Sequence, residues 1–375
     1  MRSIQMVDLK SQYEAIKIEV DQAIQGVIDT TSFINGPKVK EFSDALASYT
    51  GAKYVVTCGN GTDALQIAMM GLDFQPGQEV IVPAFTYVAT AEVIALLGLV
   101  PVFIDVIGST FELDITQLES KITSKTAGIV PVHLYGQCSN MEAILSVAKK
   151  HNIKVIEDTA QAIGANYSFS DGTVKQAGTM GDVGTTSFFP SKNLGCYGDG
   201  GAMFTNDGKL AEKLRMIANH GQQKKYHHHI VGVNSRLDTL QAAILNVKLQ
   251  HLDRYSASRN EVAARYDSAF TDHPHIRIPK RVVNSTHAFH QYTIQVEGVS
   301  RDELKSYLAE KGVPSMVYYP LPLHQQEAYL NLGYEKGDFP VAEALCEKVL
   351  SLPIHTEMKV EDQEYIIESI NSFFK

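Results

Sequence analysis

Lys53-Tyr-Val-Val-Thr-Cys-Gly-Asn-Gly-Thr-Asp-Ala-Leu-Gln-Ile-Ala-Met-Met70 contains a short apolar run, a glycine turn and a helical stretch, in that order. The same alternation continues down the chain. Candidate strands are Lys53–Thr57, Glu79–Pro83, Val100–Asp105, Gly128–His133, Lys154–Glu157, Thr185–Phe189 and Ala202–Thr205. Helical stretches fall between them at Thr62–Met70, Thr90–Leu97, Met141–Lys150 and Lys209–Ala218. Strands that alternate with helices make a mostly parallel sheet covered on both faces. The expected fold class is therefore α/β. In open sheets of this type, ligands bind outside the carboxyl ends of the strands.

The flanking segments read differently. Leu9, Tyr13, Ile16, Val20, Ile24 and Val27 recur at a spacing of three or four, which predicts one helix over residues 9–29. Gly36-Pro37 breaks the chain before a second helix, from about Val39 to Tyr49. Residues 236–269 read as one long helix. Beyond it a smaller α+β unit is expected: a strand at His290–Val296, a helix entered through Val299-Ser-Arg-Asp-Glu303 and ending near Gly312, and a last helix at Asp362–Phe374. This divides the chain into a large domain, 1–250, with an N-terminal helical segment, and a small domain, 251–375.

Composition narrows the function. Of 375 residues, 44% are hydrophobic and 20% charged, enough for a large core. The net charge is -9 and there is no long basic run, so nucleic acid and acidic membrane surfaces lack an electrostatic basis as partners. Met1–Lys10 has no apolar core of signal-peptide length, and no apolar stretch is long enough to span a bilayer. Cys58, Cys138, Cys196 and Cys346 are scattered and form no C-x-x-C pair, which fits a reducing cytoplasm better than a zinc site or a disulfide framework. His227-His-His229 lacks acidic or cysteine partners at ligand spacing and reads as a polar loop; no metal is expected.

The residues that can carry chemistry follow the strands. Gly59-Asn-Gly-Thr-Asp63 offers backbone N–H groups and the Thr62 hydroxyl at a helix start, a phosphate cradle or simply a capped turn. It is neither a P-loop nor G-x-G-x-x-G. Tyr87, in Pro83-Ala-Phe-Thr-Tyr87, can stack on a flat ring, whereas Phe85 reads as structural. Asp158 ends an apolar run, where a carboxylate is either a helix cap or a functional group. Gln161 follows one turn later. Ser187-Phe-Phe-Pro-Ser-Lys-Asn-Leu-Gly-Cys-Tyr-Gly-Asp-Gly-Gly201 presents Lys192 on a glycine-rich loop, with Ser187 five residues before it. A lysine that forms a Schiff base and an aspartate that holds a pyridinium nitrogen are the two protein groups that pyridoxal phosphate (PLP) chemistry most needs.

These segments in this order resemble the DegT-type family of PLP-dependent sugar-nucleotide aminotransferases. So do Val7-Asp-Leu-Lys10, Phe33-Ile-Asn-Gly-Pro37, His133-Leu-Tyr-Gly-Gln137, Gly232-Val-Asn-Ser-Arg-Leu-Asp238 and Tyr318-Tyr-Pro-Leu-Pro322. The resemblance implies the aspartate-aminotransferase fold (PLP fold type I) with a seven-stranded sheet. It implies Lys192 as the Schiff-base lysine, Asp158 on the ring nitrogen, Gln161 and Tyr87 on the ring, and Gly61, Thr62 and Ser187 on the phosphate. It also implies a homodimer in which Asn234 reaches the phosphate of the other subunit's cofactor. Arg236, Tyr318 and Tyr319 are the candidate substrate residues, for a UDP-linked sugar and an L-glutamate donor. The family's usual Glu-Asp-Ala-Ala is Glu-Asp-Thr-Ala here, through Thr159, with the aspartate intact. Within the family, Ser187–Asp207 and His228–Ala243 look most like the segments of UDP-2-acetamido-2-deoxy-3-oxo-D-glucuronate aminotransferases, which supply a 3-amino sugar for O-antigen. Tyr318 departs from members with histidine there. The alternatives are an enzyme for a dTDP-3-oxo-6-deoxyhexose or a UDP-4-keto sugar, a PLP lyase or dehydratase, and a non-catalytic regulatory relative.

Overall fold

A computed structural model describes residues 4–375. Its centre is a seven-stranded sheet made of β1 (Tyr54–Cys58), β2 (Glu79–Pro83), β3 (Val100–Ile104), β4 (Thr126–Ile129), β5 (Lys154–Asp158), β6 (Val183–Ser187) and β7 (Gly201–Thr205). The spatial order is β1-β7-β6-β5-β4-β2-β3. β7 pairs antiparallel with both neighbours and the remaining pairings are parallel, so β7 alone is reversed. The fold class is the expected α/β one.

Side-chain alternation along the strands builds two apolar layers. Val80 and Val82 face the helices Gly61–Gly71, Ala89–Leu96 and Gly208–Ala218, whereas Ile81 faces the helix Met141–His151. The helix Gly61–Gly71 starts where it does because Asn60 caps it, its side chain accepting from Asp63 N at 2.8 Å. The helix Pro37–Thr50 has proline in its first turn and ends at Gly51, whose φ of 76° needs no Cβ.

Two expected helices are broken. The N-terminal one divides into Leu9–Ala15 and Lys17–Thr30, because Ile16 leaves helical geometry (φ -123°) while burying its side chain against Val20 and Ile244. The long one divides into Thr239–Leu249 and Leu252–Phe270. The first half buries Ala242 and Leu245 under the large sheet, and the second buries Val262 and Tyr266 in the C-terminal core. One straight helix cannot serve both cores.

The C-terminal part holds a three-stranded antiparallel sheet, Ile276–Arg277, Tyr292–Val296 and Val349–Leu352. Ser300 caps the helix Arg301–Glu310, accepting from Glu303 N at 3.4 Å, as the sequence motif predicts. The two cores exchange chain: Ile4 packs in the C-terminal one, while Leu323, Tyr329, Phe339 and Leu345 pack in that of the large sheet. Asp105, just beyond β3, locks this exchange by accepting from Val341 N at 3.0 Å and Ala342 N at 2.8 Å at the start of the helix Pro340–Lys348.

Candidate active site

The ends of β1, β2, β5 and β6 converge on one cavity of about 780 Å³. Gly61, Thr62, Tyr87, Asp158, Gln161, Ser187, Lys192, Tyr318 and Tyr319 all border it. The chain reaches the cavity along the strands, at the place that strand-helix alternation predicts.

Lys192 sits on a loop that closes on itself. Its backbone N donates to Phe189 O at 2.8 Å, and Cys196 N returns to Phe188 O at 2.8 Å. Gly195 allows the turn, since a Cβ there would lie 2.3 Å from Pro190 O. Burial pushes the Lys192 amine down to about 8, against the charge of Asp158, which pulls it up.

Asp158 is gripped from both sides. Thr90 Oγ1 donates to Oδ2 at 2.8 Å and Ala160 N donates to Oδ1 at 3.1 Å. Behind it, Glu157 accepts from Gly178 N, Met180 N and Gly181 N at 2.9, 2.6 and 2.7 Å, and lies 3.0 Å from His133 Nε2. Ser139 N donates to His133 Nδ1, so the ring proton belongs on Nε2, facing Glu157. His133 is thus a satisfied core histidine that steadies the strand end carrying Asp158.

The cavity's aromatic wall is Tyr87 and Tyr319, with ring centroids 6.1 Å apart. Tyr87 is 57% exposed, its ring free to cover a flat ligand. Phe85 is buried against Phe111, a structural residue as expected. Gln161 accepts from Tyr135 N at 2.7 Å and donates to Tyr319 Oη at 3.2 Å, which fixes the direction of its amide.

The phosphate end fits its group. Gly61 and Thr62 open the helix Gly61–Gly71, whose first N–H groups lack intrahelical acceptors. A Cβ on Gly61 would stand 2.7 Å from Ser187 Cβ, so the glycine brings the helix start against the serine. Ser235 Oγ accepts from Gly59 N at 2.8 Å and donates to Asp63 Oδ2 at 2.6 Å, bracing the turn from behind. Three polar atoms of cavity-lining residues, Thr86 Oγ1, His290 Nδ1 and Gln291 Oε1, are buried without partners, as suits a cavity built for a polar guest. A lysine with a lowered pKa, a held carboxylate, an aromatic lid and an anion cradle match the aldehyde, ring nitrogen, ring face and phosphate of PLP.

Asn234 and Arg236 lie outside this cavity. Asn234 is exposed, and Arg236 borders a second cleft of about 690 Å³ with Lys40, Lys53 and Arg215. Sequence reasoning missed Thr90, Thr86, His290 and Gln291. Thr90 read only as the start of a helix, and His290 only as the start of a strand. Among the described residues no group of three or more His, Cys, Asp or Glu side chains could hold a metal ion, and no helix is long and apolar enough to cross a membrane.

A lysine and an aspartate facing one cavity at the strand ends of this α/β fold define the class as a PLP-dependent enzyme. Residues 14–371 match the model of the DegT/DnrJ/EryC1/StrS aminotransferase family, and the chain belongs to that family. It is 48% identical to the UDP-2-acetamido-2-deoxy-3-oxo-D-glucuronate aminotransferase of Pseudomonas aeruginosa, over 94% of this chain and 95% of the relative. It is also 48% identical to a pleiotropic regulatory protein of Geobacillus stearothermophilus, over 100% of this chain and 99% of the relative. The crystal structure of S. venezuelae DesV, in complex with a ketimine intermediate, superposes with a TM-score of 0.95 at 38% identity, covering 100% of this chain and 99% of that one. The protein is a sugar-nucleotide aminotransferase, and its cofactor is pyridoxal 5'-phosphate.

Proposed function

We propose that the enzyme moves the amino group of L-glutamate to the 3-keto group of UDP-2-acetamido-2-deoxy-3-oxo-D-glucuronate. The products are 2-oxoglutarate and a 3-amino sugar nucleotide used in O-antigen and lipopolysaccharide synthesis. The observation that carries the reading is Lys192 beside Asp158 in a cavity at the strand ends. The choice of sugar rests on the identity to the Pseudomonas aeruginosa enzyme.

Bound PLP supplies an electron sink and a carrier for the amino group. The chain's own residues do the rest. Gly61, Thr62 and Ser187 hold the phosphate, while Tyr87 covers the ring and Gln161 orients it. Asp158 keeps a proton on the ring nitrogen. Lys192 Nζ takes a proton from the α-carbon of glutamate and, in the second half-reaction, returns one to C3 of the sugar. An amine whose pKa is about 8 can do both near neutral pH. Tyr318 and Tyr319 border the space left for the sugar.

Lys192 is the one lysine or arginine bordering the cavity among the described residues. A uronate carboxylate therefore needs a cation from elsewhere. Arg236, in the second cleft, would serve the other subunit's site in a homodimer, next to Asn234 on that subunit's cofactor phosphate. Arginine can grip a carboxylate through two parallel hydrogen bonds. The same scarcity of cations favours a second reading, a neutral dTDP-3-oxo-6-deoxyhexose, which is in keeping with a 41% identical relative named for dTDP-3-amino-3,6-dideoxy-alpha-D-galactopyranose. Four buried free thiols suit a cytoplasmic enzyme.

Turnover on the two keto-sugars, followed by mass spectrometry of the amino product, separates the readings. Arg236→Lys should lose activity on the uronate and keep it on the neutral hexose. Equal losses would remove Arg236 as the carboxylate reader. Full activity in Lys192→Ala would end the assignment, and a protein that never binds PLP would point to a regulatory role.

A further inference from the structure

The motif His133-Leu-Tyr-Gly-Gln137 follows β4, and the steps above give its tyrosine no part. Tyr135 stands behind the cavity wall rather than on it. It is 2% exposed, and its ring meets Phe111 in a T-shaped contact at 5.0 Å. Its φ is 58°, in the left-handed region that glycine enters freely and tyrosine only at a cost. Such a conformation persists where the surroundings over-determine it. Here they do: His290 N donates to Tyr135 O at 2.8 Å, and the next residue, Gly136, accepts from Ala288 N at 2.8 Å.

The other polar groups of Tyr135 reach residues of the wall. Its N donates to Gln161 Oε1 at 2.7 Å, and its Oη donates to Tyr318 O. The first contact decides how a proton further along is used. A backbone N–H can only donate, so the amide atom it meets is the oxygen of Gln161. The amide nitrogen, Nε2, then lies 3.2 Å from Tyr319 Oη, and it too can only donate. Tyr319 Oη is thereby an acceptor on this side, and its own hydrogen must go elsewhere. Among the described residues it donates to none. Tyr319 borders the cavity, so that hydrogen is left for a guest. Burial pushes both phenols up from their usual pKa, and each keeps its proton. The contacts close a circuit: Tyr135 to Gln161, Gln161 to Tyr319, and through the chain to Tyr318 and back to Tyr135.

We propose that Tyr135 is a positioning residue that holds Tyr319 as a hydrogen-bond donor aimed at an oxygen of the bound keto-sugar. The inference rests on the reading of this cavity as the sugar site. Tyr135 does not border the cavity and acts through two neighbours. Gln161 fixes where the Tyr319 hydrogen can go, and the bond to Tyr318 O fixes the backbone that carries Tyr319. A phenol suits the neutral carbonyl and hydroxyl oxygens of a sugar, whereas the carboxylates of glutamate call for a cation. The role of Tyr135 therefore belongs to the sugar half of the reaction.

The test times the two half-reactions separately in the PLP-loaded enzyme, for wild type, Tyr135→Phe, Tyr319→Phe and the double variant. Tyr319→Phe should slow amine transfer to the keto-sugar roughly tenfold, the scale of one hydrogen bond. Tyr135→Phe keeps the buried ring and should slow the same step about fivefold. The double variant should be no slower than Tyr319→Phe alone, because one residue acts through the other. Amine transfer from glutamate should stay within about twofold of wild type in all three, and the visible band of the holoenzyme should keep its position and its pH midpoint. A tyrosine that only fills the core gives a different result. Tyr135→Phe then lowers the melting temperature and leaves the two half-reactions at their wild-type ratio, which overturns the proposal, as does a double variant whose losses multiply. A moved band would assign the Tyr319 hydrogen to the ring oxygen of the cofactor and overturns it as well. If Tyr135→Phe does not fold, Gln161→Glu carries the comparison. Its carboxylate accepts from both Tyr135 N and Tyr319 Oη and turns the hydrogen away from the sugar, so adding Tyr319→Phe to it should cost the sugar step nothing more; a further loss of about tenfold overturns the proposal. Wild type keeps two failures apart. If it converts neither the uronate nor the neutral keto-sugar, the sugar reading falls and the role of Tyr135 with it. If it converts either one, and Tyr135→Phe matches it in both half-reactions, the role of Tyr135 falls alone.

Discussion

Thr90 Oγ1 donates to Asp158 Oδ2 over 2.8 Å, in a wall where Thr90 has no exposed surface. With Ala160 N on the other oxygen, the carboxylate is held at both ends, in the orientation that the proposed contact with the ring nitrogen requires. Thr90→Val keeps the shape and removes the donor. Losing a hydrogen bond to a charged group costs about 1.5–3 kcal/mol, so the rate of amine transfer from glutamate should fall at least tenfold, with little change in half-saturation. Thr90→Ser should retain most of the rate. A valine variant with wild-type kinetics would mean that the backbone alone orients Asp158.

Gly61 leaves no room for a side chain, because its Cβ would meet Ser187 Cβ at 2.7 Å. Gly61→Ala should push the helix start away from the serine and weaken PLP binding by about tenfold or more, the scale of a lost charge-assisted contact. Gly61→Ala combined with Ser187→Gly should regain part of the loss. Fluorescence titration of the cofactor-free proteins reads both.

Glu157 has no exposed surface and accepts three backbone N–H groups. Glu157→Gln would set an amide donor against donors. The expected loss of stability is on the order of 2–4 kcal/mol, seen in urea unfolding of the cofactor-free protein. Unchanged stability would show that the loop 178–181 holds its shape without the carboxylate.

Lys248 is 1% exposed and forms no ion pair among the described residues; its amine lies 5.3 Å from the centre of the Tyr197 ring. Burial lowers its pKa to about 8. An unfolded lysine titrates near 10.4, so between those values the unfolded chain binds more protons and stability rises with pH. Below about 8 the charged form is buried at a cost. Lys248→Met should therefore stabilise the protein at pH 7 by on the order of 2 kcal/mol, an advantage that shrinks as pH rises past 8 and is gone near 10.5. Thermal melts of both proteins across that range test the sign. A methionine variant less stable at pH 7 would mean that the contact with Tyr197 outweighs desolvation.

The sheet was legible because each strand is a short apolar run closed by a turn residue or a polar one. Glu79–Pro83 even keeps the bounds read from sequence. The meeting of Lys192 and Asp158 on one cavity was legible for the same reason, since a strand end stands next to a recognisable local pattern. Thr90 was not, because its partner is 68 residues away and only the folded sheet brings them together. His290 carries no local mark either, as only the folded chain brings it to the cavity wall. The break at Ile16 was hidden because the residue keeps the apolar spacing of a helix while its backbone departs from one. The split near residue 250 depends on two cores that periodicity cannot tell apart.

The central claim is that Lys192 is the amine that bonds the cofactor and moves the proton. The direct measurement is borohydride reduction of the PLP-loaded enzyme, digestion, and location of the pyridoxyl group by mass. The account predicts the group on the peptide containing Ser191-Lys192-Asn193, and none after prior incubation with L-glutamate. A pyridoxyl group on Lys248 or another lysine, or one that glutamate does not remove, would contradict it.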